Sequence, residues 1–449
     1  MLKKVTVVRN ENNRNTLTIH PAKAKELNVK QGQRTNICFG IKKVEVTIEL
    51  ADQKDSQTVL LSSDTMTKIH LPINSLFDLK VSGTDLLIGP FLGILATNTD
   101  EQLEKKLQKL SVYGQQYNSF RGALIAFSLE GIQMKNQTIS GFIYNPKSGM
   151  WVKGIYSYPA AIYRKIPLTD ALKKHLMQHI GPTIFNSVYF TKWDMYQWLQ
   201  NNKQVKDYLP KTILYKEPKD VMTELKSQSS IIVKPLNGLK GRGIKEFSKK
   251  GDTYFVRFRE KEQNNVLTFN ETSLIRYLFE TLVENEYILQ QRLNLVFEKE
   301  RVIDFRLFVS KNEQGEWVCL GWVARHGAPK SVVSNRSSGG KIRPGNETLQ
   351  KLFQLDKKSL MYWRKDLFKI ACEASKAIEN EDRNFGFFAI DMAIDSNGDF
   401  WIMEMNHRSP NDNLPLYLKD LKTYTNIKVN KMLYLRYLAG FNEDDSRTT

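Results

Sequence analysis

The chain is 449 residues long, with 41% hydrophobic and 25% charged residues and a formal net charge of +18. This composition is typical of a soluble globular protein with two to four domains. No run of 18 or more apolar residues and no signal peptide is found, so neither a membrane-spanning helix nor secretion is predicted.

Residues 1–88 are predicted to form an N-terminal β-rich domain, either a small barrel or a sandwich. Strand-like runs with turn signals between them include Thr16–His20, Thr35–Phe39, Lys43–Ile48 and Thr58–Leu61. A short helix is predicted at Pro21–Leu27. We find no residue pattern in this region that indicates chemistry.

Residues 89–185 are predicted to form a small α/β domain, because buried strands alternate here with helix. Leu86–Leu95 is predicted to be one buried strand, and a polar helix is expected over about 99–118. Further strands are predicted at Gly122–Phe127, Ile139–Tyr144 and Met150–Ile155.

Residues 186–441 are predicted to form an α+β domain, followed by a polar tail at 442–449. Helices are predicted to begin at Lys192 and to span Thr272–Glu284 and Trp363–Glu379. The predicted strands share a high content of β-branched and aromatic residues: Ser230–Lys234, Tyr287–Gln291, Asp304–Val309 and Trp317–Arg325.

A glycine-rich turn follows the buried strand that ends at Lys234. Gly238, Gly241 and Gly243 permit close backbone approach, and exposed N–H groups in such a turn can cradle a polyphosphate. The Lys234 ammonium could contact phosphate oxygens. The spacing matches neither a P-loop nor a Rossmann turn, and a basic hairpin tip is the alternative interpretation.

A second hairpin is predicted from Phe388 to Asn406, with its turn at 396–398. Glu404 and Asn406 are two residues apart and therefore face the same side of a strand, and the hairpin can bring Asp391 opposite them. Two carboxylates and an amide oxygen are ligands that suit Mg²⁺. The alternative is a structural hairpin with outward acids, as we expect for Asp395 and Asp399.

Together these two motifs resemble the ATP-grasp superfamily over about 186–440. The resemblance implies nucleotide-binding roles for Lys192, Lys234, the three glycines and the hinge-strand residues Gln290 and Gln291. It also implies roles beside the triphosphate for Arg306, Arg325 and Asn335, the last of which belongs to the run from Ser334 to Gly340. ATP and Mg²⁺ are the implied cofactors, with Asp391, Glu404 and Asn406 as metal ligands.

Within the superfamily the chain is most similar to the YheC/YheD endospore coat-associated proteins. The similarity is carried by four segments: Ile88–Leu95, Lys192-Trp193, Leu209–Thr212 and Val233–Ile244. Two departures are present: Phe387 stands where similar proteins often carry an acid, and the run from His407 to Pro410 is one residue longer than usual. They place the acceptor pocket and catalysis in question.

The resemblance implies an ATP-dependent carboxylate–amine ligase that acts through an acyl phosphate, on a carboxylate-bearing substrate such as an acidic peptide or protein. The alternative is an ATP-binding structural protein of the spore coat with little or no catalysis. A second alternative, a basic polyanion binder, is motivated by residues 201–250, which hold 12 Lys and Arg against 5 Asp and Glu. Nucleic acid is not expected, because no recognition signature is present.

The expected location is the cytoplasm, with association with the forming spore coat implied by the resemblance. Three scattered cysteines, Cys38, Cys319 and Cys372, fit a reducing compartment.

Overall fold

The chain folds into a β barrel and three further sheets, with helices packed on the sheets. A computed structural model describes residues 2–11, 14–52, 55–73, 75–238, 241–260, 263–331, 339–379 and 383–442. No helix in these ranges is long and apolar enough to cross a membrane.

The first strands close into a barrel with the order β1-β5-β2-β4-β3-β7-β6, in which β6 pairs with β1. The predicted β-rich region is therefore a barrel, and the predicted helix is present as α1 (Pro21–Leu27). A second helix, α2 (Ser63–Ile69), lies between β5 and β6. The strands are β1 (Lys3–Asn10), β2 (Thr16–Ile19), β3 (Arg34–Phe39), β4 (Lys42–Leu50), β5 (Thr58–Ser62), β6 (Leu76–Ser82) and β7 (Asp85–Gly89).

The second sheet has the order β11-β10-β9-β8-β12-β13. Its strands are β8 (Phe91–Thr97), β9 (Ala123–Gln133), β10 (Thr138–Asn145), β11 (Met150–Ser157), β12 (Ala161–Arg164) and β13 (Ile184–Phe185). The prediction of a single strand over Leu86–Leu95 is wrong. The chain leaves the barrel at Gly89 and enters this sheet at Phe91, so the apolar run serves two different sheets.

The predicted helix over 99–118 is also wrong as one element. The segment breaks into α3 (Asp100–Glu104), α4 (Leu107–Leu110), a 3-10 turn (Ser111–Tyr113) and α5 (Tyr117–Phe120). Its buried residues Leu103, Leu110, Tyr113, Tyr117 and Phe120 keep the spacing of one helical stripe, but turns at 105–106 and 114–116 interrupt the helix. Helix α6 (Asp170–Ile180) follows β12.

The third sheet has the order β14-β19-β15-β16-β17-β18. Its strands are β14 (Thr212–Leu214), β15 (Ser230–Pro235), β16 (Lys245–Lys250), β17 (Thr253–Glu260), β18 (Gln263–Phe269) and β19 (Tyr287–Gln291). Helix α7 (Lys192–Leu199) and a 3-10 turn (Lys206–Tyr208) precede the sheet, and α8 (Pro218–Ser227) and α9 (Glu271–Thr281) pack on it. The predicted helix at Thr272–Glu284 corresponds to α9.

The fourth sheet has the order β23-β22-β21-β24-β25, with β20 (Phe297–Glu298) paired to β21. Its other strands are β21 (Arg301–Lys311), β22 (Trp317–His326), β23 (Lys341–Pro344), β24 (Phe387–Ile394) and β25 (Phe400–Asn406). The helices of this part are α10 (Gly345–Phe353), α11 (Lys357–Ile378) and α12 (Leu421–Leu438), with a 3-10 turn (Leu414–Leu418) before α12. Helix α11 buries its apolar face on this sheet.

The last helix, α12, packs on the fourth sheet and also on the second sheet. Its buried Met432, Tyr434 and Leu435 belong to the same core as Leu92 and Phe185 of the second sheet. Helix α12 therefore connects the C-terminal part of the chain with the region before residue 186. The division into domains at residues 88, 185 and 441 stays a prediction.

Candidate functional site

The three predicted metal ligands lie side by side on the hairpin of β24 and β25. Asp391 pairs directly with Glu404, and Ala389 pairs with Asn406. The Asn406 amide Nδ2 lies 3.3 Å from Asp391 Oδ2. The structure thus brings together the three oxygen-bearing side chains that the sequence pattern placed on one face.

A β-bulge at Met403 determines which side chains of β25 face this cluster. Asp391 pairs with Glu404 but Met392 pairs with Ile402, so Met403 is the extra residue. Met403 and Glu404 both line the cleft between the third and fourth sheets, whereas Ile402 is fully buried in the core behind. The bulge therefore adds an apolar side chain beside the acidic one.

The turn acid Asp395 does not point outward as the sequence suggested. It is buried and accepts hydrogen bonds from the backbone N–H groups of Asn397 and Asp399 and from Trp401 Nε1 at 2.9 Å. Asp395 fixes the hairpin turn and so holds the register of the two strands.

Asp391 is held by two arginines. Arg306 binds it through two parallel hydrogen bonds of 2.7 and 2.8 Å, and Arg325 Nη2 lies 2.9 Å from its Oδ2. Burial opposes ionisation of Asp391, but the charges of Arg306 and Arg325 outweigh it and lower the pKa of the carboxyl group. Asp391 is therefore a carboxylate at neutral pH.

Arg325 also binds Asp304, which faces it across β21 and β22, with distances of 2.7 and 2.5 Å. Burial alone would lower the pKa of Arg325, yet Asp304 and Asp391 raise it. The two arginines therefore lie next to the proposed metal ligands, with their guanidinium groups fixed by carboxylates.

The two predicted nucleotide lysines approach the cluster from across the cleft. Lys192, the first residue of α7, lies 3.2 Å from Glu404 Oε1 and donates to the Gly238 carbonyl oxygen at 2.8 Å. Lys234 is buried at the end of β15 and donates to Gln290 Oε1 at 2.5 Å. Burial lowers the pKa of Lys234 to about 8, against the opposing effect of Glu404.

The glycine-rich turn follows Lys234. Gly241 and Gly243 have φ angles of +76° and +74°, which side chains other than glycine rarely adopt. A Cβ on Gly238 would lie 2.5 Å from the Pro235 ring, so Gly238 is required by packing as well. The turn thus has the backbone geometry that the glycines predicted.

The two hinge-strand glutamines lie in different places. Gln291 lines the cleft, whereas Gln290 is buried and links Lys234 to Thr212, to whose hydroxyl it donates at 3.0 Å. Gln290 therefore positions Lys234 through its side chain. Asn335, the remaining predicted site residue, lies outside the described residues.

The cleft contains two cavities separated by the ion pair of Lys192 and Glu404, which lines both. The first, here called the apolar cavity, has a volume of about 250 Å³. Charged and polar side chains, among them Lys234 and Asp391, line one part of it. The apolar part of its wall comes from both sheets and the segment after β19: Ile232, Ile244, Leu293, Leu295, Phe297, Val302, Ala393 and Met403. Sequence reasoning missed these residues, because ordinary core residues share the same composition.

The second, here called the polar cavity, has a volume of about 220 Å³ and lies beside Arg306, Asn406 and Arg408. His407 lines it but is stacked on Phe190 with 3.8 Å between the ring centroids, and burial lowers its pKa to about 3. His407 is therefore neutral and packs in the wall of this cavity.

The oxygen donors fit Mg²⁺ better than a softer metal. Glu404 is partly exposed to the cleft, and Asp391 Oδ1 accepts one hydrogen bond from the described residues, so lone pairs are present for a cation. No group of three or more His, Cys, Asp and Glu side chains placed to hold a metal occurs among the described residues. A set of two carboxylates and an amide leaves positions for water and phosphate oxygens, as Mg²⁺ requires.

Several solved structures resemble this chain at low sequence identity. They include N5-carboxyaminoimidazole ribonucleotide synthetase from Thermotoga maritima, with 15% identity, 71% of this chain and 69% of that chain covered, and a TM-score of 0.38. The ATP-grasp ligase PsnB complexed with minimal precursor has 11% identity, coverages of 75% and 99%, and a TM-score of 0.38. A RiPP-associated ATP-grasp ligase from Chryseobacterium gregarium, in complex with ADP and a leader and core peptide, has 12% identity, coverages of 76% and 96%, and a TM-score of 0.39.

Two curated proteins of Bacillus subtilis (strain 168) are similar in sequence. The endospore coat-associated protein YheD is 25% identical over 399 residues, which cover 85% of each chain. The endospore coat-associated protein YheC is 24% identical over 300 residues, which cover 63% of this chain and 80% of that one. The family model for YheC/D like ATP-grasp matches residues 181–438, more than half of the chain. The protein therefore belongs to the YheC/D like ATP-grasp family.

Proposed function

We propose that the protein is an ATP-dependent carboxylate–amine ligase. Bound Mg·ATP would supply the phosphoryl group that converts a substrate carboxylate into an acyl phosphate, which an amine then attacks to give an amide and phosphate. The observation that carries the proposal is the row Arg306, Asp391 and Glu404 across three neighbouring strands, opposite Lys192 and Lys234. Positioning and charge are what phosphoryl transfer requires of a protein.

Each residue has a defined part in this proposal. Asp391, Glu404 and Asn406 would hold one or two Mg²⁺, and Lys192 and Lys234 would bind the nucleotide phosphates together with the turn of Gly238, Gly241 and Gly243. The apolar cavity is supported as the place of the base, because Gln291 lines it beside a wall of aliphatic side chains.

The arginines would stabilise charge during transfer. Arg306 lines the polar cavity and is the better placed for the transferred phosphoryl group. Arg325 is buried between Asp304 and Asp391, so we propose that it fixes Asp391 and contributes its charge at a greater distance. Asn335 is proposed to act over the terminal phosphate.

Hydroxylamine trapping tests the reaction. Purified protein with Mg·ATP, an acidic peptide and hydroxylamine should give ADP and a peptide hydroxamate, because hydroxylamine captures an acyl phosphate. The variant Lys192→Met should lose both products, whereas Lys203→Met, which removes an exposed lysine, should retain them. Formation of neither product with a broad set of peptide and small carboxylates, while Mg·ATP binds, would contradict the ligase proposal.

A nucleotide-binding protein with little catalysis is the second candidate. It is favoured by Phe387, which stands where similar proteins often carry an acid and is buried beneath the Lys431 ammonium. Calorimetry distinguishes the two candidates, because this one predicts Mg·ATP binding without turnover.

We further propose association with the spore coat, on the basis of the names of the two curated relatives. Immunoblots of purified spore-coat fractions from the source organism should detect the protein. Its absence from them throughout sporulation would contradict this location.

A further inference from the structure

A third cavity, here called the basic cavity, lies next to the polar cavity and has a volume of about 660 Å³. Its walls are Ala96 of β8, the segment from Lys106 to Gln115, the residues directly after β12, the loop after Asn406 and helix α12. Four lysines line it: Lys106, Lys109, Lys165 and Lys428. Asp412 is the single carboxylate among the described lining residues.

The charges around Asp412 do not balance. Lys428 and Lys431 lie 2.6 and 2.5 Å from its two carboxylate oxygens and are themselves buried. Lys165 donates to the Tyr113 hydroxyl at 3.2 Å and packs over the Tyr163 ring. One carboxylate therefore faces three largely buried ammonium groups, with two exposed lysines at the rim of the same cavity.

This imbalance is unfavourable without a further anion. Burial lowers the pKa of Lys165 to about 8 and that of Lys431 to about 7, although Asp412 acts in the opposite direction on both. A purely structural ion pair would need one lysine, and burying additional unpaired charge is unfavourable. An incoming carboxylate would supply the missing negative charge.

The basic cavity is continuous with the candidate active site through one loop. Ser409 lines both the polar and the basic cavities, and Asp412 follows Asn406 by six residues. The Lys431 ammonium also lies 3.7 Å from the ring centroid of Phe387, which is four residues before Asp391 on β24. A ligand in the basic cavity could thus extend toward the polar cavity beside Arg306.

We propose that the basic cavity binds the anionic part of the substrate, a carboxylate-rich chain such as an acidic peptide, and directs its reacting carboxylate toward the polar cavity. This inference rests on the proposed ligase function, for which it names the substrate class. Lys165, Lys428 and the rim lysines Lys106 and Lys109 contact the ligand, and Asp412 with Lys431 holds Lys428 in place.

Peptide binding tests the assignment. Acetylated, amidated peptides of six glutamates or six glutamines are labelled and titrated with the full-length protein in the presence of Mg²⁺ and a non-hydrolysable ATP analogue. The wild-type protein should bind the glutamate peptide at least tenfold more tightly than the glutamine peptide. Lys165→Met should weaken glutamate-peptide binding at least tenfold, because it removes an ammonium group inside the cavity.

The controls separate a specific site from general attraction to a basic protein. Lys358→Met removes an exposed lysine of α11, outside the cavity lining, and should leave peptide binding unchanged. The double variant Lys106→Glu with Lys109→Glu changes only exposed rim residues and should reproduce the loss, even where Lys165→Met fails to fold.

Three outcomes would overturn the assignment. They are equal binding of the two peptides, unchanged glutamate-peptide binding by the rim double variant, and displacement by inorganic phosphate with no preference for glutamate. Binding of the ATP analogue is measured in parallel. Its absence would count against the proposed function, whereas normal analogue binding without peptide discrimination would count only against the basic cavity as the substrate site.

Discussion

Lys234 shows at the residue scale how a site can be prepared for an anion. Its ammonium group is buried against Gln290, and burial lowers its pKa to about 8. The charged groups that influence it are Lys192, Glu404, Asp391 and Asp304. The charge of the Lys234 ammonium is only partly compensated by these groups. A bound phosphate would therefore supply further negative charge beside it.

We expect Lys234→Met to weaken Mg·ATP binding at least tenfold, because it removes the buried ammonium group that we propose binds the phosphates. The pH dependence should change as well. The folded-state pKa of this base is depressed, so the free protein loses the proton above about pH 8, and binding by wild type should weaken by up to tenfold per pH unit there. Calorimetry from pH 7 to 9.5 measures this slope. A slope in the variant as steep as in wild type would contradict the assignment to Lys234.

Glu404 allows the metal role to be tested without disturbing the core. We expect Glu404→Gln to weaken Mg²⁺-dependent nucleotide binding at least tenfold, since it removes a charge from the ligand set. Glu404 is partly exposed and pairs with Lys192, which keeps its bond to Gly238, so the free energy of unfolding should fall by no more than about 1 kcal/mol.

Glu101→Gln provides the control, because Glu101 is an exposed acid of α3 paired with Lys105. It should leave magnesium-dependent binding unchanged. If Glu404→Gln bound Mg·ATP as tightly as this control, Glu404 would not be a metal ligand.

Sequence reasoning found the oxygen donors because strand periodicity is local information. Glu404 and Asn406 are two residues apart, and the hairpin turn fixes Asp391 opposite them. The ring of charge around Asp391 was not predicted, because Arg306 and Arg325 are brought to it by strand pairing over more than 60 residues. The bonds from Lys234 to Gln290 and from Lys192 to Gly238 are also long-range, spanning 56 and 46 residues.

At the element scale, the bulge in β25 is the feature that regular alternation could not predict. Simple alternation places Ile402 and Glu404 on one face, whereas the extra residue Met403 puts Ile402 in the core and Glu404 in the cleft. A related limit applies to the segment 99–118, where four short helical pieces replace the expected helix. Its buried side chains keep a helical spacing, and that spacing does not reveal the turns at 105–106 and 114–116.

Because of the bulge, we expect different effects from substituting two neighbouring apolar residues, Ile402 and Met403. Ile402→Ala should lower the free energy of unfolding by about 2–5 kcal/mol, because it opens a cavity in the core. Met403→Ala should cost much less stability but weaken binding of the ATP analogue several-fold, since Met403 lines the apolar cavity. Urea unfolding and calorimetry on both variants measure the contrast. A reversed order of the two effects would contradict the described bulge.

At the scale of the whole molecule, the C-terminal helix α12 contacts the barrel and the second sheet, which come from the N-terminal part of the chain. It contributes to the core of the second sheet, and Arg436 near its end lies 2.6 Å from Asp78 of the barrel strand β6. The same helix carries Lys428 and Lys431 of the basic cavity. Sequence patterns predicted a β-rich N-terminal region, either barrel or sandwich, and most of the strands. They did not predict this connection, because nothing local marks which sheet a terminal helix will cover.

The ion pair at Asp78 gives the last prediction. Asp78 is fully buried and compensates both Arg436 and Arg121, which lies 3.2 Å away. Asp78→Asn should lower the free energy of unfolding by about 3–5 kcal/mol, because two arginines keep buried charges without a carboxylate. Glu26→Gln removes an acid that pairs with Lys3 at the surface, and it should leave the free energy of unfolding nearly unchanged. Urea unfolding, monitored by tryptophan fluorescence, measures the free energy of unfolding of both variants. If the Asp78 variant were as stable as the Glu26 variant, α12 would not depend on this pair, and the basic cavity would need other contacts to hold its lysines in place.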